Sequence, residues 1–140
     1  MEQRDIIKDQ IEQLGKVLGK MLSDFLKLKS IGKGSEGIIV SNEQLKSELD
    51  LSIHDLITLS KPALKKYLED RRLASGHFET LAKYLKEIGE DAAGNDKPKA
   101  MLYFTKSIEL LDLEDEITEV LSYDRLQLKL EIEALIEGLS

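Results

Sequence analysis

The sequence contains no cysteine and no tryptophan, and only two of its 140 residues are proline. Without cysteine the chain forms neither disulfides nor thiolate metal sites, which fits a reducing compartment. No apolar run approaches the ~20 residues that cross a bilayer. The charged start MEQRDIIKDQ also lacks the hydrophobic segment of a secretion signal. We therefore expect a cytoplasmic protein that neither crosses nor binds a membrane.

The sequence also lacks a strongly basic region. The net charge is −7, made up of +2 on residues 1–34 and −9 on the remainder. Because duplex-binding proteins neutralise phosphates with a basic face, we expect no nucleic-acid partner. Acidic residues are densest in residues 109–119, and no basic residue lies between Ser107 and Asp124. Such a run is typical of a solvated face, and its alternative role is to attract a basic partner, which could be the first helix itself.

An apolar stripe at alternating spacings of four and three predicts one long amphipathic helix over residues 3–30. At ~1.5 Å per residue this helix is about 42 Å long, and a compact chain of this size is roughly 37 Å across. The helix must therefore span the domain, bend or project from it. We expect its stripe to be a packing or partner face, formed by Ile7, Ile11, Leu14, Leu18, Met21, Phe25 and Leu28. On its flank, Gly15 and Gly19 indicate a close helix contact.

Three glycines follow this helix and spell GxGxxG at Gly32, Gly34 and Gly37. The motif looks like a phosphate-binding loop, but such a loop follows a strand and brings backbone N–H groups up to phosphate oxygens. Here a charged helix precedes it, and no other kinase motif follows. We therefore predict that residues 31–41 are a flexible connector.

The rest of the chain predicts a helical bundle over residues 42–140, in one domain with the first helix. Ser41 has the form of a cap for a short helix, and Ser60 caps another with Pro62 in its first turn. A last helix starts at Ser122. Its apolar residues partly alternate as in a strand, but their helical spacing and composition favour a helix.

Two further helices, over residues 77–89 and 98–112, form a hairpin that resembles a tetratricopeptide repeat. The second helix carries the family's small, aromatic and small residues, and the first carries three matching apolar residues. The packing set is Leu81, Ala82, Leu85, Ala100, Phe104 and Ser107. The sequence departs from the family in a longer loop, in the lack of a closing proline and in the lack of a second copy of the motif. The resemblance is to a degenerate, TPR-like helical protein of a bacterial family, and it implies a scaffold that binds proteins or peptides.

No residues form a recognisable catalytic, cofactor or metal site. His54 and His77 are the only histidines, and we expect both on helix surfaces or at caps. The expected fold is all-α, with the first helix packed on a TPR-like array of antiparallel hairpins. The expected function is non-catalytic interaction with a protein or peptide. The alternative is a structural homodimer assembled through the heptad spacing of the first helix.

Overall fold

The computed structural model describes the backbone of residues 2–139 and the side chains of residues 7–139. This part of the chain forms helices and no strand, which confirms the predicted all-α class. The seven helices are α1 (Glu2–Ser30), α2 (Gly34–Leu49), α3 (Ile53–Thr58), α4 (Lys61–Asp70), α5 (His77–Ala92), α6 (Lys97–Thr118) and α7 (Tyr123–Leu139). None of them has both the length and the apolar character needed to cross a bilayer.

The glycine-rich segment is mostly helical, which corrects the prediction of a connector over residues 31–41. Only residues 31–33 lie outside helices, in a turn where Gly32 has a φ of +79°. Helix α2 then starts at Gly34, and Gly37 packs directly on α1: a Cβ at Gly37 would lie 3.0 Å from Cδ2 of Phe25. These glycines therefore permit close helix packing, and the packing outweighs their low helix propensity.

The predicted start of this helix at Asn42 is also wrong. Ser41 lies inside α2, where its Oγ is 2.7 Å from the carbonyl oxygen of Gly37. The prediction for α4 is confirmed, because Ser60 Oγ accepts from the N–H of Ala63 and Pro62 lies in the first turn.

Helices α5 and α6 form the most extensive pairing, as an antiparallel hairpin. Gly89 was expected to end α5 but lies within it. A Cβ at this position would be only 2.6 Å from Cε1 of Phe104, so glycine here allows α5 and α6 to approach closely. Helix α6 extends to Thr118, beyond the expected end near residue 112. The acidic run of residues 109–119 is therefore helical up to Thr118.

The core lies where α1, α2, α5 and α6 meet. Phe25 packs edge-on against Tyr84, with 5.5 Å between the ring centroids, and both rings are buried. The Tyr84 hydroxyl donates to Asn42 Oδ1 at 2.8 Å and also hydrogen-bonds Ser41 Oγ. Burial, only partly opposed by the Ser41 hydrogen bond, raises the pKa of Tyr84 to about 12. A polar group thus fixes how α2 sits on α5 inside an otherwise apolar core.

Helix α7 packs on α6 at the end of the chain and confirms the preference for a helix over a strand. Ser122 Oγ accepts from the N–H of Arg125 at 3.2 Å, as the predicted cap requires. Ile132 is fully buried, and the half-buried Leu128 and Leu135 lie on the same inward face.

Candidate interaction surface

The predicted stripe of α1 is covered by the chain's own helices along its middle. Leu18, Met21 and Phe25 are each at most 2% exposed. The flanking members Ile11, Leu14 and Leu28 are half-buried, whereas Ile7 is 56% exposed. The centre of the stripe is therefore part of the core, and a second molecule has no access to it in this structure.

The six residues of the predicted hairpin set lie in the interior of the α5–α6 pair. Leu81, Ala82, Leu85, Ala100, Phe104 and Ser107 are all 0–1% exposed. Ser107 Oγ donates to the carbonyl of Ala82 at 2.6 Å, so the small residues of the two helices meet directly. These residues hold the hairpin together and contribute nothing to an exposed surface.

The two histidines differ in their surroundings. His54 is exposed on α3, but His77 is only 4% exposed, which corrects the expectation of a surface position. Its Nδ1 accepts from the N–H of Ala74 at 2.9 Å, and its Nε2 lies 2.9 Å from the carbonyl oxygen of Ile11. The neutral ring with its proton on Nε2 satisfies both contacts. His77 therefore ties α1 to the start of α5.

An open cleft of about 490 Å³ lies where the start of α2 meets the α5–α6 connection. Its walls combine apolar side chains such as Ile88 with the polar groups of Asp91 and Lys99. No buried polar atom without a hydrogen bond lines it, and in the described residues no group of three His, Asp or Glu side chains could hold a metal ion. The cleft therefore has no feature that selects a ligand.

Exposed apolar side chains concentrate at the corner between α6 and α7. We call this surface the corner patch; its members are Ile117, Val120, Leu121, Tyr123, Leu126 and Leu130. Leu121 is 96% exposed, and even Leu126 and Leu130 within α7 are more than half exposed. Scattered single apolar residues are normal on a protein surface, but contiguous ones indicate a site of interaction.

The corner patch shows why the α7 sequence partly resembles a strand. Tyr123, Leu126 and Leu130 are spaced i, i+3 and i+7, so they share one face of α7. Leu128 and Ile132 face the core from the other side. Apolar residues on both faces of one helix give the alternation at positions 126, 128, 130 and 132. That alternation is the signal in the sequence that could have indicated the patch, but the predicted partner face was the stripe of the first helix.

Ion pairs on the inner side of α7 hold the helix on α6. Arg125 Nε lies 2.6 Å from Asp115 Oδ1, and Lys129 Nζ lies 2.8 Å from Asp112 Oδ1 and also contacts Asp115. Partial burial favours the neutral form of Asp115, but hydrogen bonds from Lys129 and Arg125 outweigh it and lower the pKa of Asp115. For Lys129, partial burial favours the neutral amine, but hydrogen bonds to Asp112 and Asp115 outweigh it and raise the pKa of Lys129. Both basic side chains are thus paired with acids of α6, and Arg125 also donates to the carbonyl of Val120, at 2.7 Å, at the edge of the corner patch.

The charges left beside the corner patch are acidic. Residues 107–139 contain ten acidic residues and only two basic ones, Arg125 and Lys129. Glu119 and Glu133 are exposed next to the patch, and within the described chain neither of them forms an ion pair. Asp124 is also exposed, but it lines a cleft with Lys83 of α5 on another side of α7. The surface therefore combines apolar side chains with uncompensated negative charge.

Comparison with models of protein families, with curated proteins and with solved structures finds no match for this chain.

Proposed function

We propose that this protein is a non-catalytic protein–protein interaction module that binds its partner through the corner patch. The observation that carries the proposal is the group of exposed apolar side chains from Ile117 to Leu130, of which Leu121 is 96% exposed. Interfaces bury apolar anchors within a polar rim, and this surface has both parts. Within the described residues, neither the cleft beside α2 nor the buried His77 offers a comparable exposed surface.

The proposal includes a TPR-like scaffold. Its support is the closeness of α5 and α6, where Ser107 hydrogen-bonds Ala82 and the ring of Phe104 covers Gly89. In stacked helical repeats the terminal helix needs a polar outer face to end the array. Helix α7 has instead an apolar outer stripe, which favours a further element packing there. A cytoplasmic location is part of this proposal and agrees with the absence of cysteine.

The alternative, a homodimer assembled through the heptad stripe of α1, has weaker support. Leu18, Met21 and Phe25 are already buried against the rest of the chain. A dimer through this stripe would have to expose them first, or use only its end at Ile7.

A capture experiment with matched variants tests the proposed function. The intact protein is compared with Leu126→Glu/Leu130→Glu, which places charges on the corner patch, and with Ile39→Glu/Val40→Glu, which alters two exposed apolar residues on α2. We expect cellular partners to be captured by the intact protein and the α2 variant but lost from the patch variant. Circular dichroism checks that all three remain helical, and Leu126→Ser/Leu130→Ser serves if the charged variant does not fold. Partners that persist with the patch variant, or are lost with the α2 variant alone, would place binding elsewhere.

A further inference from the structure

The corner patch has the dimensions of a helix-docking face. Tyr123 and Leu130 are seven residues apart, so the stripe on α7 runs for about 10 Å, or two helical turns. Val120 and Leu121 extend it beyond the start of α7 and are more than half exposed. Helices recognise such faces through their own apolar residues at i, i+3 or i+4, and i+7. One additional helix laid along α7 would bury the patch.

The charge around the patch favours a helix of the opposite, positive charge. Glu119 and Glu133 are exposed without an ion pair in the described chain, while Arg125 and Lys129 are held by acids of α6. Glu133 follows Leu126 by seven residues and so continues the same face of α7. A ligand with basic side chains beside its apolar residues gains electrostatic attraction at these two positions.

We propose that the corner patch receives a basic amphipathic α-helix from a partner protein. The inference rests on the proposed function and adds the chemistry of the ligand. Apolar residues of the incoming helix pack on Leu121, Leu126 and Leu130, and its Lys or Arg side chains lie against the acidic rim.

Other occupants fit the surface less well. A second copy presenting its own corner patch would bring two sets of unpaired acids together, which opposes association. An anionic membrane surface attracts basic residues, and the rim carries none. A second copy presenting α1, which lies in the net basic part of the chain, is the remaining competitor and is distinguished by the test below.

The test uses two synthetic helical peptides with leucine at the same i, i+3, i+7 and i+10 positions. One carries lysine and the other glutamine at the flanking positions, and binding to the intact protein is followed by fluorescence anisotropy. We expect the lysine peptide to bind about tenfold more tightly at low salt, the effect of two exposed ion pairs, and to lose this advantage at high salt.

Variants of the protein locate the effect. Glu119→Gln/Glu133→Gln should bring the lysine peptide down to the affinity of the glutamine peptide without changing the latter. The matched control removes two exposed acids of α2 through Glu43→Gln/Glu48→Gln and should leave both affinities unchanged. Leu126→Glu/Leu130→Glu should abolish binding of the glutamine peptide.

Four results would overturn the inference. Equal binding of the two peptides, or a lysine preference that survives the rim variant, removes the role of charge. Binding of neither peptide, while cellular capture still depends on the patch, shows that the ligand is not a basic helix although the proposed function stands. Ultracentrifugation showing an oligomer that Leu126→Glu disperses makes the occupant a second copy. Co-sedimentation with phosphatidylserine vesicles that the same substitution abolishes makes it a membrane. Failure of the proposed function itself is separate, since capture would then not depend on the patch.

Discussion

Glu114, on α6, accepts a hydrogen bond of 2.6 Å from the backbone N–H of Gly76, the residue that precedes α5. The same carboxylate oxygen also accepts from the N–H of Glu79, at 3.3 Å, and the Glu114 side chain is buried. Helix α5 has no capping side chain of its own. A residue 38 positions away therefore caps the N-terminus of α5, where negative charge also favours the helix dipole.

The first prediction concerns this cap. Glu114→Ala should lower the free energy of unfolding by about 2 kcal/mol, because it leaves the N–H groups of Gly76 and Glu79 without their partner. The control is Glu116→Ala, also on α6. It removes an exposed carboxylate that pairs with Lys61 of α4 and should cost less than about 1 kcal/mol. Urea denaturation compares the two. Equal losses would show that the buried carboxylate does not act as a cap.

The second prediction concerns the closest approach of α5 and α6. Gly89→Ala should destabilise the protein by about 1–3 kcal/mol, since the new methyl group would lie 2.6 Å from the Phe104 ring. Gly19→Ala is the matched control within a helix, because nothing lies within 4 Å of its added Cβ. It should stabilise α1 by up to ~1 kcal/mol through helix propensity. Thermal melts with opposite shifts support this account, and a stabilised Gly89→Ala protein contradicts it.

The third prediction concerns alkaline pH. The pKa of Tyr84 is about 12 in the folded protein against an ordinary 10.0, so the native state keeps its phenol neutral where the unfolded chain ionises. The stability this provides is complete below pH 10 and is lost as the pH rises towards 12, by roughly 2–3 kcal/mol. Urea unfolding at pH 9.5 and at pH 11.5 measures this loss.

Two variants isolate the contribution of Tyr84. Tyr84→Phe should lower stability by about 1 kcal/mol at pH 7, through loss of the bonds to Ser41 and Asn42, and should weaken the alkaline dependence. Tyr123→Phe removes a hydroxyl that is on a 73% exposed side chain and should leave that dependence unchanged. An unchanged slope in Tyr84→Phe would assign the alkaline effect to other groups.

The fourth prediction concerns acid pH and the attachment of α7. The lowered pKa of Asp115 means that its pairs with Arg125 and Lys129 stabilise the fold above about pH 4 and are lost as the pH falls through the folded pKa. Asp115→Asn should therefore cost about 1 kcal/mol at pH 7 and less than that at pH 2. Asp124→Asn, at an exposed carboxylate of α7, should show no such difference. Denaturation at the two pH values checks this, and a cost that persists undiminished at pH 2 would mean that the ion pairs are not its source.

The sequence predicted most helices correctly because their apolar periodicity and caps act over a few residues. Ser60 with Pro62 correctly marked the start of α4, and Ser122 marked the start of α7. Several of the errors fall at glycines. Gly34, Gly37 and Gly89 suggested a connector or a helix end, but each lies inside a helix at a close contact. Helix propensity describes the isolated segment. The neighbouring helix, whose close packing favours a residue without a side chain, is distant in the sequence.

The corner patch could not be assigned from the sequence for a related reason. Leucines at helical spacing give the same sequence pattern whether a second helix or water covers them. Leu126 and Leu128 differ only in which of them the docking of α7 on α6 buries, and Arg125 and Lys129 set that docking from the inner face.

By itself the sequence determined an all-helical chain without cysteine, because local spacing and composition suffice for both conclusions. Only the tertiary structure decided that the middle of the first stripe is core, that Glu114 and His77 are buried links between helices, and that the outer face of α7 is left exposed. These outcomes depend on contacts between residues far apart in the chain, and local patterns do not encode which of several apolar faces finds a partner.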